Sequence, residues 1–264
     1  AFPLRNRGWK EIEVKKRVQQ VAQMLELTGD LKLRASGLSV DAKQKISLGR
    51  GLVRPDVAAV LFDEPLTVID PHLKWLLRRK LKEIHHELKL SLIYVTHDQV
   101  EALTFADQVV VMTQGEVVQT GSAQALFEEP EHTFVGYFIG NPGMNLLDCT
   151  LDDGGVRVAG QLLAVSAAAR AALSGAQGKI TLGVRPEFVE CLAVGEGGEG
   201  GDHCLDATVT AVRNMGTHYL AEFQLGGATV AAKLRAIDAV AGNAVRLRFP
   251  PQRTLYYVND KRVA

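Results

Sequence analysis

Ala58-Ala59-Val60-Leu61-Phe62-Asp63-Glu64-Pro65 is an uninterrupted apolar run that ends in two adjacent carboxylates. A short apolar run without alternation suits a strand buried on both faces, as in a parallel sheet covered by helices. In open sheets of that kind ligands bind beyond the carboxyl ends of the strands, which puts Asp63 and Glu64 at the edge where chemistry sits. A second run, Ser91-Leu92-Ile93-Tyr94-Val95-Thr96, ends the same way in His97 and Asp98, with a segment of helical periodicity between the two. Strand, helix, strand, with an acid pair and a histidine at neighbouring strand ends, is the pattern around which the first half is organised.

The chain has 264 residues, 47% of them hydrophobic and 23% charged, enough to bury a substantial core and to make two domains. Thirty basic and thirty acidic residues cancel, which removes the electrostatic case for a nucleic-acid partner. No apolar run approaches the roughly 20 residues needed to span a bilayer, and the first residues do not form a signal peptide. Cys149, Cys191 and Cys204 are odd in number and lack metal-type spacing, so free thiols are expected.

Outward from the central strand, Val14, Val18, Val21 and Leu25 recur at helical spacing between Glu11 and Leu27. A second helix is expected from Asp41 to Val53, closed by Arg54-Pro55-Asp56. Past Glu64, Asp70 as N-cap and Pro71 at the first helical position fit a helix from about His72 to Leu88, with Leu73, Leu77, Leu81, Ile84 and Leu88 on one face. A short helix, Gln99 to Phe105, then leads into a hairpin of Gln108 to Met112 and Glu116 to Gln119, turned at Gln114-Gly115. Asn141-Pro142-Gly143 marks a domain boundary, giving domains 1–140 and 141–264.

After Leu146 the texture changes to short β-type runs: Val156 to Val165, Ile180 to Val184, Leu205 to Val212, Tyr219 to Phe223, Ala228 to Leu234, Val245 to Phe249 and Leu255 to Val258. Only Ser166 to Leu173 is helical in character there. Many short strands with turns between them indicate a small all-β barrel or sandwich. Gly195 to Gly201 is a glycine-rich loop with few side chains to bind anything.

An Asp at the end of a buried strand can hold Mg²⁺, and a neighbouring Glu can polarise an attacking water, which is the division of labour in nucleotide hydrolysis. His97, one strand over, could donate a hydrogen bond to a terminal phosphate. Leu38-Ser39, then Leu61-Phe62-Asp63-Glu64-Pro65, Asp70, and Val95-Thr96-His97-Asp98-Gln99 with Glu101-Ala102 together resemble the nucleotide-binding subunits of ATP-binding cassette transporters. Gly115, Gln119-Thr120-Gly121, Phe127, Pro130, Phe138-Ile139-Gly140, Met144-Asn145 and Gly183-Val184-Arg185-Pro186-Glu187 are similar to the carbohydrate-uptake branch of that family.

The resemblance covers nearly the whole chain. It implies an α/β fold: the C-terminal part of a RecA-like phosphate-loop NTPase domain with a helical subdomain, then an all-β OB-type regulatory domain. Carried over by position, it makes Asp63 the Walker B aspartate that holds Mg²⁺, through water, Glu64 the catalytic glutamate and His97 the switch histidine. Asp70 falls on the D-loop, and Ser39 is the signature serine that meets a phosphate of ATP. Gln44 and Arg50, on the helix after the signature, are expected to be structural.

Two departures carry weight. No G-x-x-x-x-G-K-[ST] occurs in the 264 residues, so no backbone cradle or lysine for phosphates can be assigned. The family places that loop upstream of the stretch that corresponds to Ala1, so an N-terminally truncated chain, inactive alone, is expected. The second departure is the signature, where Val40 and Asp41 stand in place of two glycines. They add bulk where close approach is needed and a negative charge where an anion would sit against the helix start.

The function implied is an ATPase subunit that couples ATP hydrolysis to import of a polyol, sugar or glycerol phosphate, at the cytoplasmic face of the inner membrane as a peripheral protein. Its implied partners are integral permease subunits, a solute-binding protein indirectly, and a second ATPase subunit. A heterodimer is expected, because the altered signature would weaken the site held by the other subunit. The alternative is a non-hydrolysing regulatory subunit of such an importer.

Overall fold

The computed structural model describes residues 1–66, 71–193 and 203–264. They form two compact units, Ala1–Ala106 and Asp107–Ala264. The expected D-loop residue Asp70 and the glycine-rich stretch Gly195 to Gly201 lie outside the described residues. The hairpin and the two short helices that follow Ala106 group with the second unit.

The first unit runs α1 (Phe2–Arg5), α2 (Glu11–Met24), two single 3₁₀ turns, α3 (Val40–Leu52), β1 (Ala59–Asp63), α4 (Pro71–Leu88), β2 (Ser91–Val95) and α5 (Gln99–Phe105). Its centre is the parallel pair β1–β2, in which Ala59 lies opposite Ser91 and Asp63 opposite Val95. Val60 and Phe62 point into a core shared with Val14, Val21, Leu48, Leu52, Leu77, Leu81 and Ile84. The apolar stripes of α2, α3 and α4 thus cover one face of the pair, as their periodicity requires.

The other face corrects the expectation of two-sided burial. Burial alternates along β1, and Leu61, Ile93 and Val95 are exposed by 65%, 54% and 48%. The strand is apolar on both sides, but among the described residues the helices of this unit pack on only one. An apolar run cannot show which of its faces has a partner.

The second unit begins with the hairpin β3 (Val109–Thr113) and β4 (Glu116–Gly121), then α6 (Ala123–Glu128) and α7 (Thr133–Phe138). The hairpin turns at Gln114 and Gly115, both at positive φ, 50° and 83°, the twist that favours tight antiparallel reversals. The strands that follow in chain order are β5 (Asn145–Asp152), β6 (Gly155–Val158), β7 (Gln161–Leu163), β8 (Ile180–Val184), β9 (Glu190–Leu192), β10 (Cys204–Asn214), β11 (Tyr219–Leu225), β12 (Ala228–Leu234), β13 (Ala244–Arg248), β14 (Thr254–Val258) and β15 (Lys261–Arg262), with α8 (Ala167–Leu173) between β7 and β8.

They form two antiparallel sheets, ordered β12-β11-β10-β13-β9 and β15-β14-β8-β5-β6-β7, around one core of Val156, Leu163, Leu182, Phe223, Leu247 and their neighbours. The expected single run from Val156 to Val165 is instead the hairpin β6–β7, reversed at Ala159 and Gly160, where φ is 48° and 84°. Strand β5, which sequence periodicity did not mark, pairs with both β6 and β8. All three cysteines are free thiols, and burial pushes Cys149 up to about 11, which keeps it protonated and unreactive.

A side chain just past β8 ties the connector that holds α6 and α7 to this unit, and another links the two sheets. Arg185 is 2% exposed and directs its guanidinium at main-chain oxygens: Nε donates to Phe127 at 2.9 Å, Nη1 to Gly136 at 2.8 Å and to Ile139, and Nη2 to Leu126 at 3.3 Å. It also stacks 4.4 Å from the Phe127 ring centroid. Burial pushes its pKa down to about 10, so it stays charged at neutral pH. The Asn145 amide spans the two sheets, donating to the Ala231 carbonyl at 2.9 Å and accepting from the Ala231 N–H at 2.8 Å.

Candidate functional site

The parallel register of β1 and β2 brings the two strand ends level, so the residues that follow them emerge side by side. The Glu64 N–H donates to the Val95 carbonyl at 2.9 Å, extending the ladder by one bond. Its backbone then turns into the left-handed region, φ 44°, a conformation that costs a non-glycine residue of order 1 kcal/mol and persists where the surroundings hold it. From there Glu64 Oε1 reaches His97 Nδ1 at 2.8 Å. The His97 side chain is 70% exposed and that of Glu64 43%, so the pair stands at the surface of the first unit.

The carboxylate raises the His97 pKa, first through the hydrogen bond and then through its charge. Asp63, the last residue of β1, is also exposed. Among the described residues no group of three or more His, Cys, Asp or Glu is arranged to hold a metal ion. Mg²⁺ is commonly held by only one or two carboxylates together with substrate phosphates and waters. Asp63 therefore fits as a contributor to such a site, not as a cage.

Ser39 stands at the start of α3. Its side chain is the N-cap of α3, with the hydroxyl accepting from the Ala42 N–H at 3.1 Å. Val40, the first residue of the helix, is 62% exposed. The carboxylate of Asp41 pairs with Lys45, one turn on, at 3.4 Å, which offsets part of the repulsion expected at this helix start. Gln44 donates from its amide to the Pro65 carbonyl, tying α3 directly to the turn that carries Asp63 and Glu64.

Sequence reasoning gave Glu101 no role, yet among the described residues it is the most deeply buried carboxylate, 2% exposed. It accepts from Tyr94 Oη at 2.9 Å, from Thr96 Oγ1 at 3.1 Å and from Lys74 Nζ at 3.2 Å. The signal in the sequence was a glutamate on a short helix whose Phe105 faces the core. Burial and the Glu101 bond push the Tyr94 phenol well above its ordinary pKa, so it remains a donor.

Together, the strand ends present two carboxylates and an imidazole that hydrogen-bonds one of them. Such a set can orient a water, accept its proton and stabilise negative charge nearby.

Two family models match the second unit: the MalK OB fold domain over residues 140–189 and the TOBE domain over residues 182–256. The sn-glycerol-3-phosphate import ATP-binding protein UgpC of Salmonella typhi is 37% identical over 261 residues, 97% of this chain and 70% of that protein. The UgpC of Chromobacterium violaceum is 37% identical over 236 residues, 88% of this chain and 61% of that protein. That of Yersinia pestis bv. Antiqua is 34% identical over 262 residues, 98% and 71% of the two chains. A solved structure of the cytoplasmic molybdate-binding protein ModG matches 43% of this chain and 95% of its own with a TM-score of 0.36 and 12% identity, too loose a likeness for any functional conclusion. With a third of its residues shared along nearly its whole length, this chain belongs to the ATP-binding subunits of ABC-type carbohydrate importers, an ATPase portion followed by OB and TOBE domains.

Proposed function

We propose that the chain is part of the ATP-hydrolysing subunit of an importer for glycerol 3-phosphate or a chemically related polyol or sugar. The observation that carries this reading is the 2.8 Å bond between Glu64 and His97 at the level ends of two parallel strands. In the proposed roles, Glu64 orients the attacking water and accepts its proton. His97 stabilises charge at the terminal phosphate, and Asp63 holds Mg²⁺ through water. ATP with bound Mg²⁺ would supply the phosphoryl group and neutralise its charge. The domain division proposed from the sequence, 1–140 and 141–264, assigns the ATPase part to the first segment and regulation to the second.

Import itself would occur in permease subunits that this chain serves from the cytoplasmic face of the inner membrane, fed by a solute-binding protein. No helix among the described residues is long and apolar enough to cross a membrane, which is compatible with a peripheral role. Two ATPase subunits would act together, with Ser39 and Asp70 at the contact. A heterodimer finds no support in the relatives, whose names describe one ATP-binding protein each.

The test is the complete subunit assembled with its permease in vesicles. Glu64→Gln should slow ATP hydrolysis by roughly 10²- to 10⁴-fold, the range for losing a general base, and stop uptake with it. An unchanged rate would remove Glu64 from that role.

A further inference from the structure

We propose that Glu101 is a positioning residue for His97: it fixes the turn that presents the imidazole to Glu64 and ties that turn to the start of α4. The inference rests on the hydrolytic reading above for its purpose, but not for its geometry.

The turn between β2 and α5 is closed by a ring of hydrogen bonds around His97. Thr96 Oγ1 donates to Glu101 Oε2 at 3.1 Å and accepts from the Asp98 N–H at 3.0 Å. Asp98 Oδ1 in turn accepts from the Val100 N–H at 2.9 Å and from the Glu101 N–H at 3.2 Å. His97 sits inside this ring by sequence, with its side chain outside it and bonded to Glu64. Tyr94 anchors the same carboxylate from the strand, and Lys74 anchors it from the first turn of α4.

A carboxylate buried only to pair with Lys74 would ask nothing of Thr96. Here one oxygen takes Lys74 and the other takes both Tyr94 and Thr96, so both oxygens are engaged and the turn is held from the strand and from α4. A shift of the first turn of α4 would move Lys74, Glu101 and the His97 turn together. His97 placement is thereby coupled to Glu64 directly and to the first turn of α4 through Glu101 and Lys74.

Two measurements test this. In the 264-residue chain, the through-space contact between the His97 ring and the Glu64 side chain can be followed by NMR in wild type, Glu101→Gln, Thr96→Val and Thr96→Ser. The contact should be present in wild type and T96S and lost in E101Q and T96V. T96V leaves Glu101 paired with Lys74 and Tyr94, so it decides the matter if E101Q does not fold. Persistence of the contact in a folded T96V or E101Q chain would overturn the proposal.

In the complete subunit with its permease, E101Q should slow hydrolysis on the order of 10²-fold, as misplacement of a reacting group does, with little change in KM. The double variant E101Q/H97A should be no slower than H97A alone; independent, multiplying losses would mean that Glu101 acts elsewhere. If the wild-type complex does not hydrolyse ATP but the NMR contact behaves as expected, the hydrolytic reading fails and the positioning role stands. Turnover together with an undisturbed contact in the variants gives the reverse.

Discussion

His97 Nδ1 lies 2.8 Å from Glu64 Oε1, although the two residues are 33 positions apart and each follows the end of a different strand. The bond and the carboxylate charge raise the His97 pKa. Protonated imidazole is thus favoured in the folded chain relative to the unfolded one, where the value is about 6.5. The stabilisation is complete below that unfolded value and is lost as pH rises through the raised folded value. Titration of the His97 ring signals should give a midpoint above that of an ordinary histidine, and Glu64→Gln should bring it down. A midpoint unaffected by the substitution would mean that the pair does not form in solution.

Arg185 offers a prediction about the second unit. Its guanidinium is the common donor to carbonyls from α6, α7 and the residues after them. Arg185→Met would keep an apolar stem against Phe127 and leave those buried acceptors without a donor. Each such acceptor costs about 1–3 kcal/mol when fully orphaned, and some here keep a second bond, so a loss of about 2–4 kcal/mol is expected. Arg185→Lys should recover only part of it, since one ammonium cannot match a planar fork of donors. Urea unfolding followed by the near-UV signal of the tyrosines of this unit, Tyr256 and Tyr257 among them, would measure both. A midpoint equal to wild type for the Met variant would show that the connector is held by other contacts.

Much of the first unit was legible in the sequence because it is written locally. The run into Asp63 and Glu64 and the run into His97 are contiguous, so their ends could be placed without knowing what packs on them. The register that brings them together follows from the parallel pairing of neighbouring strands. What could not be read depends on distant groups. The Arg185 partners are main-chain oxygens 46 to 59 residues away, which leave no side-chain pattern. Glu101 draws its partners from β2, the turn after it and α4, and its burial is visible only once those elements meet. Strand β5 escaped notice because a polar residue, Asn145, takes a buried position and an apolar one, Leu151, an exposed position; Asn145 is there to span the sheets. Exposure of Leu61 and Ile93 escaped it for the opposite reason, since their types match a buried strand.

Val40 is exposed at the first position of α3 and Asp41 is engaged with Lys45, so neither side chain is needed for the core of the unit. In the proposed role, both obstruct: the valine adds a branched, exposed side chain where the family pattern has glycine, and the aspartate places negative charge beside helix N–H groups that favour an anion. Replacing both by glycine in the complete subunit should therefore raise ATP turnover. It should also cost stability, a few tenths of a kcal/mol for each glycine because valine and aspartate are themselves poor helix formers, together with loss of an acid from the first turn. Ser39 should continue to cap the helix, because its bond is to the Ala42 backbone. Faster hydrolysis with a lower melting temperature is the expected combination. A lower melting temperature with unchanged or slower hydrolysis would mean that Val40 and Asp41 are compatible with a working pair of ATPase subunits as they stand, and that the departure from the glycine pattern does not limit this subunit.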